Sequence, residues 1–274
     1  MTDRIDWSAV RADFPILQRE VHGKPLVYLD SANTAQKPAA VIDAVDGFYR
    51  RHNANVSRAV HQLGAEATEA YEGARRKIAA FFNIHPDDLV LTSGTTQSIN
   101  LVAYSFALPR LQPGDVILVT RMEHHANMVP WQLIAERTGA HILPVEITPE
   151  GELDLPALKA QLKAPVKILA LSHVSNVLGT VNPVAQICEW ARKAGITTVI
   201  DGSQAAPHMA VDIPSLGCDF YAFTGHKMCG PTGTGGLWAK RGLLQAMPPF
   251  FGGGEMIREV SFEKTTFNDP PHKF

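Results

Sequence analysis

The sequence predicts an α/β fold, a doubly wound and mostly parallel sheet with helices on both faces. Two observations carry this. Short β-rich apolar runs alternate with helical patterns along the chain, and several of the runs are almost unbroken in apolar residues. Alternation of that kind builds βαβ units, and a strand covered on both faces has no polar side to show.

In chain order, the first candidate strand is "LVYLD" (26–30), followed by helix-like patterns at 38–50 and 64–82. Next come "DLVLTSG" (88–94) with a helix at 96–108, then "VILVTRME" (116–123) with a helix at 127–138. "HILPVEI" (141–147) precedes a helix at 155–163, and "VKILALSHV" (166–174) one at 183–194. "TTVIDG" (197–202), "DFYAFTG" (219–225) and "GGLWAK" (235–240) close the series.

Composition narrows the function. With 45% apolar and 19% charged residues over 274 positions, the chain can bury a large core. A net charge of −2 and a pI near 6.6 leave no basic footprint for nucleic acid. The start "MTDRIDWSAVRADFP" is too polar for a secretory signal, and no window holds the run of about 18 apolar residues that a membrane span needs. A cytoplasmic protein acting on small molecules is the expectation. Cys188, Cys218 and Cys229 form no C-x-x-C pair, so reduced thiols are expected rather than a zinc site or a disulfide framework.

Open α/β sheets bind ligands at the carboxyl ends of their strands. Those ends carry Thr95 and Thr96, Glu123-His124-His125, Ser175-Asn176, Asp201 with Gln204, and Thr224-His226-Lys227. Each has a plainer reading. "SGTTQSIN" can be a turn and a helix cap, although amides at a helix start also form an anion site. His124 and His125 are adjacent and diverge, so they do not share one metal ion, and stacking or hydrogen bonding suits one of them better. Asp201 follows an apolar strand, so its carboxylate must face solvent or find a cationic partner. Lys227 precedes its glycines rather than following them, which excludes a P-loop. An amine beside apolar residues is what a Schiff-base lysine requires, and the plainer reading is a lysine reaching solvent. Together, an amine, a carboxylate, an imidazole and a phosphate cradle are the fittings for pyridoxal 5′-phosphate.

The motifs "SGTTQSIN", "MEHHANMVPW", "SHVSNVLGT", "VIDGSQA" and "FTGHKMCGPTGTG" resemble those of fold-type I pyridoxal-phosphate enzymes of aminotransferase class V, specifically the Suf-type cysteine desulfurases and their selenocysteine lyase relatives. The resemblance begins at "RADFPIL" and "VYLDSANTAQKP" and covers nearly the whole chain. It implies that Lys227 carries the cofactor as a Schiff base and shuttles protons, that His124 stacks on the pyridine ring, and that Asp201 meets the ring nitrogen. It further implies that Asn176 and Gln204 contact the ring hydroxyl, while Thr95, Thr96, Thr224 and His226 hold the phosphate. The implied reaction removes sulfur from L-cysteine, gives L-alanine and an enzyme persulfide, and passes the sulfur to an acceptor protein of the Suf system for iron–sulfur cluster assembly. Selenocysteine is the alternative substrate, and a homodimer is the implied assembly. Other class V chemistries (aminotransferase, epimerase, kynureninase-like hydrolase) share the same lysine and aspartate, and an inactive cofactor-binding fragment is the reading from a different class.

Three departures from the family pattern stand out. "VSRAVH" places Ser57-Arg58 where relatives commonly carry His-Arg, and "GHKMCGP" places Cys229 where a larger residue is expected. The chain stops at "TTFNDPPHKF", before the small C-terminal domain that the resemblance implies, with its cysteine loop and substrate-binding arginine. The expected organisation is an N-terminal arm over 1–25, a cofactor-binding large domain over 26–255, and the start of a connection over 256–274.

Overall fold

A computed structural model describes residues 5–57 and 60–274, so Arg58 of the Ser57-Arg58 departure lies outside the described residues. The chain divides into two compact units, one of Met1–Ala74 with Gly225–Thr234, the other of Arg75–Thr224 with Gly235–Phe274.

The first unit holds helix α1 (Ala39–Arg51) and most of α2 (Gln62–Phe81), whose last turns belong to the second unit. A short helix at Trp7–Ala12 is capped by Asp6, whose carboxylate accepts from the amides of Ser8 and Ala9. The strand expected over 26–30 does not form. Tyr28 instead donates its hydroxyl proton toward the Thr34 carbonyl, and Val27 and Leu29 stand 75% and 91% exposed. An apolar run becomes a strand only when a neighbouring strand takes up its backbone groups. Here Leu26 N bonds Arg19 O, beside a minimal hairpin of Glu20–Val21 and Lys24–Pro25.

The second unit is built on seven strands: β1 (Leu89–Thr92), β2 (Val116–Thr120), β3 (His141–Val145), β4 (Val166–Ser172), β5 (Thr197–Asp201), β6 (Phe220–Thr224) and β7 (Gly235–Ala239). Their order across the sheet is β1-β7-β6-β5-β4-β2-β3. Strands β2 to β6 pair in parallel, and β7 runs antiparallel to both β1 and β6. Every residue of β2, β6 and β7 is buried. Since successive side chains point to opposite faces, both faces of these strands are covered, as their unbroken apolar sequence predicts. Strand β3 ends the sheet, is mostly exposed and carries Pro144, which an edge tolerates.

Helices lie between the strands: α3 (Thr95–Leu101), running on into a π-helical stretch at Val102–Ala107, then α4 (Val129–Thr138), α5 (Leu155–Gln161) and α6 (Val184–Lys193). Asp154 caps α5 through the Ala157 amide at 2.9 Å, and α4 ends on left-handed Gly139. A hairpin of Ile257–Val260 with Thr265–Phe267 was not legible as strands. The strand order reverses between β2 and β4: β3 lies outside β2, and the chain returns to place β4 on its other side. Such a switch point opens a crevice at the carboxyl ends of the two strands.

Candidate active site

Within the second unit, residues just after β1 and β5 and the last residue of β6 lie close together. Gly94 is the N-cap of α3, with φ +145 and no capping side chain, so the first turn of the helix turns its amides outward without a carboxylate or hydroxyl cap. A Cβ added at Gly94 would stand 3.3 Å from Thr224 Oγ1 at the end of β6. Next to it, Thr95 Oγ1 and Ser203 Oγ lie 2.7 Å apart and buried. Thr96 is exposed at the same helix start. Hydroxyls from the start of α3, the turn after β5 and the end of β6, beside a glycine that keeps the space open, could form a cradle for an anion. Ser203 is the member that sequence reasoning missed, although it stands inside the quoted "VIDGSQA".

Asp201 ends β5 and is buried at 5% exposure, rather than facing solvent as its sequence position allowed. Ser203 N donates to its Oδ1 at 2.9 Å. Gly202 follows because nothing larger fits: a Cβ there would meet the Tyr221 ring at 2.1 Å. The Tyr221 hydroxyl lies 3.0 Å from His173 Nδ1, and His173 N donates to the Asp201 carbonyl at 2.8 Å. Burial holds the His173 pKa down and the Tyr221 pKa well up, so both rings stay neutral behind the aspartate. Gln204 is buried three residues after Asp201, at the start of the short helix Ala205–His208.

At the switch point, Glu123 ties β2 to β4. Its Oε1 accepts from Thr120 Oγ1 and from Ser172 N at 2.8 Å, and its Oε2 accepts from Asn127 Nδ2 at 2.6 Å. Asn127 Oδ1 in turn accepts from Trp131 Nε1 at 3.1 Å, which fixes the start of α4. Burial pushes the Glu123 carboxyl up to about 7, against the three donors and with help from the charge of Asp201. His124 follows, exposed, as the cap of a short turn whose Ala126 amide donates to Nδ1 at 3.0 Å. In the neutral ring the proton therefore sits on Nε2. Asn176 lies in the turn after β4, half-buried, between the bridged residues Val174 and Val181.

His226 and Lys227 fall in the first unit, two and three residues along the chain from Thr224. Three donors meet the His226 carbonyl: Ala35 N at 3.0 Å, Lys37 Nζ at 3.0 Å and Thr34 Oγ1 at 3.2 Å. Its Nδ1 lies 3.2 Å from the same Thr34 hydroxyl. Burial first, then the charges of Lys227 and Lys37, lower the His226 pKa. Cys229, in the same turn, is half-buried at φ +60. Cys188 and Cys218 are buried in the second unit, and burial raises their pKa values, to about 12 for Cys188.

Residues 27–274 match the aminotransferase class-V family. The chain belongs to that family. Among class V relatives, it is 68% identical over 269 residues to a probable cysteine desulfurase of Xylella fastidiosa, covering 98% of this chain and 65% of that protein. It is 52% identical over 267 residues to a cysteine desulfurase of Serratia proteamaculans, covering 97% and 66%. The crystal structure of an Escherichia coli cysteine desulfurase in its S-sulfonic acid form superposes with a TM-score of 0.89 at 43% identity, over 99% of this chain and 67% of that one. The apo cysteine desulfurase of Thermococcus onnurineus superposes at 0.93 with 34% identity, over 100% and 67%. The chain thus spans about 65% of the length of its Xylella relative. The class V fold is the doubly wound sheet that the alternating sequence predicts. Among the described residues, no cluster of metal ligands occurs and no helix is long and apolar enough to cross a membrane.

Proposed function

We propose that this chain is the pyridoxal-phosphate-binding part of a cysteine desulfurase, with residues 26–255 as its cofactor-binding large domain. The observation that carries the reading is the cradle of Gly94, Thr95, Ser203 and Thr224 beside the buried carboxylate of Asp201. The cradle suits a phosphate because it offers hydroxyl and helix donors in a space that a Cβ would fill.

When bound, the cofactor supplies a ring able to absorb the electrons of a carbanion. Lys227 Nζ is its covalent anchor and the base that moves a proton at the substrate α-carbon. Asp201 holds a proton at the ring nitrogen, and its burial makes that charge effective. His124 covers the ring, its Nδ1 already engaged by Ala126. Asn176 and Gln204 orient the ring hydroxyl, and Thr96 and His226 complete the phosphate site. The substrate is L-cysteine, with selenocysteine as the second candidate, and the sulfur leaves for an acceptor protein of iron–sulfur cluster assembly. Ile42, Val45 and Tyr49, exposed along α1, support association into a homodimer. Three free thiols suit the reducing cytoplasm.

The test is reduction with borohydride in the presence of pyridoxal 5′-phosphate, followed by peptide mapping. Label at Lys227 supports the reading, and label at Lys240 or Lys167 instead refutes it. Alanine and sulfide release from cysteine, assayed on a version lengthened to the size of the Xylella relative, then separates a desulfurase from other class V chemistries.

A further inference from the structure

We infer that Lys37 is a positioning residue for Lys227, acting through the peptide bond that joins His226 to Lys227; this rests on the reading of Lys227 as the cofactor lysine. The oxygen of that peptide bond is the His226 carbonyl, and a carbonyl offers two lone pairs. Three donors crowd it: the amide of Ala35, the hydroxyl of Thr34 and the ammonium of Lys37. Only the last is charged, and charge-assisted hydrogen bonds are roughly twice as strong as neutral ones. The same ammonium donates to the Ala35 carbonyl at 2.5 Å, so Lys37 ties the irregular segment before α1 to the turn that carries Lys227.

The segment is itself anchored. Pro38 fixes the backbone after Lys37, α1 begins at Ala39, and Ala39 N bonds Asp13 O at 2.7 Å. Lys37 is half-buried, and burial lowers its pKa while the neighbouring Cys229 opposes that shift. An ammonium is desolvated in this way only where carbonyls replace its water. The orientation of one peptide plane sets where the Lys227 side chain starts, so a clamp on its oxygen aims the amine without touching it.

Lys37→Met keeps the stem and removes the ammonium. With limiting pyridoxal 5′-phosphate, borohydride-trapped label at Lys227 should fall about ten-fold, the scale of one charge-assisted hydrogen bond, and return in Lys37→Arg. Without cofactor, amide hydrogen exchange across Gly225–Cys229 should quicken in Lys37→Met and Thr34→Val, and not in Lys37→Arg. Unchanged trapping in Lys37→Met overturns the inference, even with faster exchange, because the clamp would then be structural only. Equal loss in Lys37→Arg overturns it as well. Absence of label at Lys227 in the parent chain overturns the assignment of Lys227 itself, and the inference with it.

Discussion

Asp201 and Glu123 are two buried carboxylates, one at the end of β5 and the other just past the end of β2, with β4 between those strands. Asp201 accepts from the Ser203 amide, whereas the cradle pair of Thr95 Oγ1 and Ser203 Oγ does not involve its carboxylate, so Asp201→Ala should leave that pair in place. That variant should still trap cofactor at Lys227 while turnover of cysteine falls by about 100-fold or more, the scale of a lost proton-handling group. Equal losses in trapping and turnover would speak against the assigned role. Glu123 is buried with three donors around both oxygens, yet burial outweighs them and its pKa stands at about 7. The folded value exceeds the 4.5 of an ordinary glutamate, so between those pH values the folded chain holds the extra proton. Stability contributed by this group is therefore full below about pH 4.5 and is lost as pH rises through 7, by up to about 3 kcal/mol. Glu123→Gln cannot accept at both ends, because its amide nitrogen must face either Asn127 Nδ2 or Ser172 N. Thermal melts should show it destabilised by about 1–3 kcal/mol near pH 5, the cost of an unsatisfied buried donor, with the gap to the parent narrowing by about pH 8. A gap that does not change with pH would show that Glu123 stays ionised throughout.

The elements that were legible in the sequence are those whose pattern needs no distant partner to complete it. Strands β2, β4 and β6 are largely apolar and buried along their length, so composition alone marks them. "LVYLD" has the same composition and fails as a strand, because pairing is a property of two segments and, among the described residues, no second strand meets it. Motif residues such as Thr95 and Asp201 were readable from their places at strand ends, whereas Ser203 and Glu123 gain meaning only through Thr95 and Ser172, which are distant in sequence. Strand β7 shows what close approach demands. A Cβ at Gly235 would lie 2.5 Å from Gly94 Cα and 2.6 Å from the Phe223 carbonyl, both backbone atoms that cannot swing aside. Gly235→Ala should therefore cost about 3 kcal/mol or more, through overpacking, and should weaken cofactor trapping by displacing Gly94. Gly242, inside the helix Arg241–Ala246, meets nothing within 4 Å. Gly242→Ala should raise stability by about 0.5–1 kcal/mol, as helix propensity dictates. Chemical denaturation of the two variants checks both signs, and a destabilised Gly242→Ala would mean the site is not the open helix surface described.

For the whole molecule, the question is which thiol in these 274 residues could take sulfur from a substrate. The proposed desulfuration needs a thiolate that can reach solvent and substrate, since the thiol form is a poor nucleophile. Cys188 and Cys218 fail on both counts. They are buried at 1% and 0% exposure, and burial holds them protonated, Cys188 up to about 12 and Cys218 well above the ordinary thiol value. Cys188→Ala and Cys218→Ala should leave sulfide release unchanged while each lowers thermal stability by about 1 kcal/mol, the cost of a small buried group. Cys229 is half-buried in the turn of Lys227, on a left-handed backbone at φ +60. The chain covers 65% of the length of its Xylella relative, and a version lengthened to that size is the comparison that decides. The 274-residue chain should trap pyridoxal 5′-phosphate at Lys227 yet release sulfide from cysteine at least about ten-fold more slowly than the lengthened version, because two of its three thiols are buried and the third is half-buried. Comparable release from both, abolished by Cys229→Ala, would instead make Cys229 the nucleophile.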